Sequence, residues 1–221
     1  TTKLKPLEQL IGKIDTTPCA PVSFGYKNSW LAIRASDSDV VIQALPVDNP
    51  QRANWQSGFV AAYNDYVFLT PALEGWVFLI CQRLPELGHA PDTEEWTLLM
   101  TSLSQKFGEV QYFGTHRVVG YNAWSKFVNG HEERAYAYCD ETLVNRGPQT
   151  QGELDLGYIY YDSNDSGEDS ATYRERTDLC YPDEEHVMEI AGKWSLNPNT
   201  LTEKKYPAGV GWIGTLRRTR N

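Results

Sequence analysis

The sequence predicts an α+β fold: an antiparallel-dominated sheet of six or more strands with helices packed on one side. Three observations carry that expectation. Residues 109–139 hold the β-rich runs EVQYFGTHRVV and YNAWSKFV, then Asn129-Gly130, then RAYAYC. Asn-Gly suits a two-residue hairpin, because both central residues need φ > 0. In the returning run Arg134, Tyr136 and Tyr138 point one way and Ala135, Ala137 and Cys139 the other, the period of a strand. The runs YVFLTP (66–71) and GWVFLIC (75–81) follow each other across a tight connection, which pairs them antiparallel, and the second is apolar enough for burial on both faces. Finally, TEEWTLLMTSLSQKFG (93–108) places Trp96, Leu99, Met100, Leu103 and Phe107 on one helical stripe. Acids open that helix, Lys106 stands in its last turn and Gly108 closes it.

The remaining elements follow in order. Residues 4–14 space Leu7, Leu10, Ile11 and Ile14 as a short amphipathic helix with Pro6 in its first turn. Residues 30–34 read as a strand. DVVIQAL (39–45) reads as a short helix capped by Asp37 or Asp39 and stopped by Pro46. Residues 48–52 read as a turn, and 55–63 as a helix with Trp55, Phe59, Val60 and Tyr63 on one face. Residues 83–91 form a loop marked by Pro85, Gly88 and Pro91, and 140–157 carry little pattern. YIYYD (158–162) predicts a strand, and Asp183 caps a last helix, EEHVMEIAGKWS, ended by Asn197-Pro198. The segment 206–218 predicts an edge strand or a packed tail. SWLAIRA-helix-YVFLTP and GWVFLIC-helix-EVQYFGTHR have the form of two strand–helix–strand units in tandem. Residues 1–221 are expected to form one domain, with 1–74 and 75–221 as its sub-units.

Composition narrows the functional classes. A chain of 221 residues, 41% hydrophobic with seven Trp, buries a core without staples. No apolar run is long enough to span a membrane and the first residues lack an apolar signal region, so the expected setting is soluble and cytoplasmic. Cys19, Cys81, Cys139 and Cys180 stand forty to sixty residues apart with no CxxC, which speaks against a zinc site or a disulfide framework. Net charge is −9 and uneven. Residues 153–185 hold eleven acids against Arg174 and Arg176, while the last eighteen residues hold five bases and no acid. Such a body repels nucleic acid and attracts basic partners.

Motifs for chemistry are sparse: the sequence has no GxSxG, no Walker loop, no HExxH and no GxGxxG after a strand. Asp162, Asn164, Ser166 and Gly167 match the start of an EF-hand-type calcium loop, but Tyr173 stands where the bidentate Glu belongs, so a polar loop without metal or other cofactor is expected. His116 and Arg117 at a strand end, with Glu109, Glu132 or Glu133 as carboxylate partner, form the catalytic alternative: a small hydrolase or transferase with a site near His116, Arg117, Glu133 and Arg134. The leading expectation is a non-enzymatic binding protein, of the inhibitor or immunity type, that holds a basic protein partner. Its surface would combine Trp124, Arg134, Tyr136 and Tyr138, extended by Tyr158, Tyr160 and Tyr161, with the acids Asp162, Asp165, Glu168 and Asp169.

Overall fold

Alternation along the strands decides the architecture. In SWLAIR, Trp30 and Ala32 enter one core while Leu31 and Ile33 enter another, and all four are fully buried. A strand apolar on both faces has to sit inside a sheet covered on both sides. The computed structural model describes residues 5–89, 93–160 and 176–217. Its strands are β1 (Ser29–Arg34), β2 (Val47–Asn54), β3 (Val67–Leu69), β4 (Trp76–Cys81), β5 (Glu109–His116), β6 (Tyr121–Val128), β7 (His131–Cys139), β8 (Glu141–Arg146) and β9 (Val210–Leu216). They form one sheet in the order β2-β9-β3-β4-β1-β5-β6-β7-β8, with every pairing antiparallel.

The helices are α1 (Leu7–Ile11), α2 (Ser38–Ile42), α3 (Trp55–Ala62), α4 (Thr93–Phe107), α5 (Gln151–Asp155) and α6 (Glu184–Trp194), followed by a 3₁₀ turn at Pro198–Glu203. They do not lie on one side, as the sequence led us to expect. Trp55 and Ala61 of α3 and Val187 and Ile190 of α6 join the core of Trp30, Phe78 and Phe113. Val41 of α2 and Met100 and Leu103 of α4 join the opposite core of Leu31, Val77 and Leu79. The cause is in β1 and β4, whose near-continuous apolar runs leave no face for water. Among the described residues no helix is long and apolar enough to cross a membrane.

The hairpin at 129–130 forms as expected, with Asn129 at φ 48° and Gly130 at φ 88°. The two strand–helix–strand units share the sheet, and their strands interleave as β3-β4-β1-β5 instead of lying side by side. Several expectations are overturned. Residues 48–52 belong to edge strand β2, which accommodates Pro50 at a register shift between Asp48 and Gln51. Residues 210–216 are neither edge nor tail, since β9 is inserted between β2 and β3. Gly211 permits this close approach, because a Cβ there would run into the Leu69 carbonyl. The weakly patterned 140–157 contains β8 and α5, the latter opened by a capping box in which Thr150 and Glu153 bond each other's backbone N–H. Of the strand expected at 158–162, the described residues show only a parallel bridge from Tyr160 to Cys180.

Candidate functional site

The expected aromatic surface lies inside the protein. Trp124, Arg134 and Tyr136 share one face of β6 and β7, as their spacing required, but each is 0% exposed. The cause is Glu153, equally buried, which α5 presents to the sheet. Its carboxylate accepts from Arg134 Nε at 2.9 and 3.1 Å, Trp124 Nε1 at 3.1 Å, the Tyr160 hydroxyl at 2.9 Å, and the backbone N and Oγ1 of Thr150 at 2.7 and 2.9 Å. Arg134 Nη1 donates to Asn145 Oδ1 at 2.7 Å and to the carbonyls of Ala135, Arg146 and Gly147. Tyr136 stacks between Trp124 and Tyr160, with centroids 5.0 and 4.1 Å away. Burial, and then the neighbouring Glu153 charge, push the Tyr160 hydroxyl far above its ordinary pKa, so it stays a donor. A charge pair this enclosed is a structural hub that holds α5 and Tyr160 on the sheet, not a recognition face. Of the acids counted in 153–185, Glu153 is therefore lost to the surface.

Asp162, Asp165, Glu168 and Asp169, with the calcium candidates Asn164 and Ser166, lie outside the described residues, as does Tyr161. The catalytic alternative is not assembled as expected. His116 pairs with Tyr121 at one end of β5, whereas Glu109 pairs with Val128 at the other, roughly 23 Å away at about 3.3 Å per residue. Glu132 and Glu133 sit at that far end beside Phe127, and Glu132 is bound to Arg146. Arg134 is sealed in the hub. The carboxylate that does reach His116 is Glu86, whose oxygens lie 3.4 Å from His116 Nδ1 and 2.8 Å from His89 Nδ1. Nothing in the loop sequence 83–91 marked Glu86 as a partner, because the contact is made by the packing of that loop and not by spacing.

What converges instead is one end of the sheet. There the β5–β6 turn, the tip between β7 and β8 and the start of α6 enclose a hollow of about 360 Å³. Arg117, Asn122, Tyr138, Asp140, Asp183, Glu184 and Glu185 line it, so four carboxylates meet one guanidinium. Arg117 Nη1 stands 3.7 Å from Glu184 and is itself mostly exposed. Tyr138 is half-buried and meets the exposed ring of Tyr181 edge-on at 6.2 Å. Asp140 occupies the tip in a left-handed conformation, φ 58°, which Asp tolerates better than most residues. Asp183 caps α6, accepting from the backbone N of Glu185 and His186. Burial works against its charge, but the bonds from His186 win and hold its carboxyl below the ordinary value. Glu185 accepts the Tyr26 hydroxyl at 2.6 Å, and that bond chiefly raises Tyr26 to about 12.

On the other side of the β5–β6 turn lies a second hollow of about 320 Å³, whose walls include Lys27, Arg83, Glu86 and His116. Between the two, Val118 and Val119 project from the turn, 83% and 46% exposed. Among the described residues no group of three or more His, Cys, Asp or Glu is placed to hold a metal ion, and none of the four cysteines is in a disulfide. Of the described bases of the C-terminal segment, Lys204 pairs with Glu74 and Arg217 with Asp48. Comparisons with protein-family models, with curated proteins and with solved structures find no match.

Proposed function

We propose that this chain is a single-domain, non-enzymatic binding protein of the cytoplasm that holds a basic protein partner, in the manner of an inhibitor or immunity protein. The observation that carries the reading is the end of the sheet just described. An exposed Val118–Val119 tip adjoins a hollow where Asp140, Asp183, Glu184 and Glu185 outnumber Arg117. An apolar knuckle beside a patch of one sign fits a protein partner: the apolar side chains supply burial, and the acids steer and select a cation-bearing surface. Tyr181 and Tyr138 add aromatic walls against which a lysine or arginine of the partner packs.

The test is capture from the source organism's lysate at low and high salt. One bait is the wild type and the other carries Asp140→Asn, Glu184→Gln and Glu185→Gln, which leave the Asp183 cap in place. A stoichiometric basic protein, lost at high salt and lost by the variant, supports the reading. Retention that ignores both salt and the substitutions overturns it. The hydrolase or transferase alternative draws support from one contact, that of Glu86 with His116 beside the second hollow. His116→Ala separates the two readings, because it leaves capture intact only if the acidic end is the binding surface.

A further inference from the structure

At one end of the sheet three strand ends coincide. Ser29, the first residue of β1, pairs with Cys81, the last of β4, and with Gly114 near the end of β5. The residues just past those positions therefore gather: Lys27 before β1, Gln82 and Arg83 after β4, Thr115 and His116 closing β5. With Glu86 from the following loop they line the hollow of about 320 Å³ on the far side of the β5–β6 turn from the acidic end. Val118 is the one apolar side chain among the described residues of its lining. A ligand for this hollow is polar.

The backbone singles out Lys27. Among the described residues six that are not glycine hold a left-handed φ, between 48° and 68°. A Cβ makes that region unfavourable, and Asn and Asp bear it best. Asn49, Asp65, Asn129 and Asp140 follow that rule. Glu74 departs from it, but its carboxylate accepts from Lys204 Nζ at 3.1 Å and from the Tyr206 hydroxyl at 2.7 Å, so its side chain has a structural task. Lys27, at φ 56°, has no side-chain hydrogen bond or ion pair among the described residues. A lysine that stands where glycine or asparagine would fit with less strain, and that holds nothing inside the protein, suits a partner outside it.

We propose that this hollow binds a phosphate group, free or carried on a small ester, with the Lys27 ammonium as its principal contact. Arg83 and His116 stand around the same space. Arg83 meets Asp65 through Nε at 2.7 Å, which fixes the position of its guanidinium. Glu86 is the one carboxylate of the described lining, and it is already engaged by His89 at 2.8 Å and His116 at 3.4 Å. Lys27 and Arg83 against one engaged carboxylate make a locally positive recess in a chain of net charge −9. Gln82 and Thr115 add neutral polar groups for the phosphate oxygens or for hydroxyls of the ester. The volume admits a phosphate with several further heavy atoms.

Titration of the full nitrogen-15-labelled chain with sodium phosphate, at an ionic strength held constant with chloride, reads the site through its amide shifts. Saturable shifts should centre on Lys27, Ser29, Gln82 and His116, with a midpoint of about 1 mM for so small a ligand. Glycerol 3-phosphate, titrated alike, separates the two sources: a lower midpoint assigns the site to an ester, and an equal or higher one to the free anion. Lys27→Gly should raise the midpoint roughly tenfold or more. Its Tm without phosphate should equal or exceed that of the wild type, because glycine accepts the left-handed backbone. Weaker binding in a variant of undiminished stability is a result that a merely structural lysine would not give. No saturable shift at these amides overturns the proposal, as does an unchanged midpoint in Lys27→Gly.

Discussion

On the face toward α6, β6 and β7 contribute Trp124, Arg134 and Tyr136, closed over by Glu153 and Tyr160. On the face toward α4 the same two strands contribute Ala123, Phe127, Ala135 and Ala137, closed over by Met100 and Leu103. One face thus spends its interior on a charge pair and its ligating groups, and the other on plain packing. A buried polar cluster can thus serve to hold a short element on a sheet. A short helix such as α5, five residues long, has too little apolar surface to hold itself on a sheet, and Glu153 supplies a directional anchor instead. The apolar face needs no such anchor, because α4 is fifteen residues long and carries a full stripe.

The largest expected effect breaks the anchor. Arg134→Met leaves the Glu153 carboxylate buried without its cation and should cost about 3–5 kcal/mol in urea unfolding. The double variant Arg134→Met/Glu153→Leu should recover most of that loss, since no charge is then stranded. On the opposite face Leu103→Ala should cost about 3 kcal/mol through the cavity it leaves, and no second substitution of this kind should rescue it.

Hydroxyl deletions sharpen the comparison at smaller scale. Tyr160→Phe removes a bond to a carboxylate and should cost about 2 kcal/mol. Tyr112→Phe removes a neutral bond to Tyr121 at 3.2 Å and should cost about 1 kcal/mol. Both faces also bury tyrosines whose ionisation is held back, chiefly by burial, with Tyr112 raised to about 12. A raised folded-state pKa means the stability is whole below the unfolded value near pH 10 and declines as pH climbs toward 12. Tyrosinate absorbance in the native protein should therefore lag that of the unfolded chain across this window. A titration that superimposes the two would contradict the burial of these hydroxyls. The smallest effect is at the sheet end, where Asp183→Ala removes the α6 cap for about 1 kcal/mol and Asp183→Asn far less.

Much of the fold was legible because period-two alternation and turn chemistry act locally. The 129–130 hairpin, the β3–β4 pair and the stripe of α4 all formed where these signals stood. The placement of helices on both faces was also present in the apolar runs of β1 and β4, which only a doubly covered sheet can house. The capping pair Thr150 and Glu153 stood at the right spacing inside a segment that otherwise reads as loop. β9 was harder, because its glycines reflect close approach by β3 and β2, a fact of tertiary packing and not of local pattern.

The candidate site was the least legible part. Spacing correctly put Arg134, Tyr136 and Tyr138 on one face, but only the position of α5 decides that two of them are sealed and the third stands at the rim of the hollow. Glu86 meets His116 and His89 through a loop fold that no periodicity encodes. The acids of 183–185 were visible as charge, yet their company with Asp140, Tyr138 and the valine tip depends on strand ends that are far apart in sequence.

The most direct test of the division between a structural hub and a binding end is a crossed capture experiment. Arg134→Met/Glu153→Leu alters the hub, and Asp140→Asn/Glu184→Gln/Glu185→Gln alters the end, each used as bait beside the wild type at low salt. The hub variant should retain the stoichiometric basic partner and the end variant should lose it, with both folded by circular dichroism. Loss of the partner by a folded hub variant, with retention by the end variant, would contradict it.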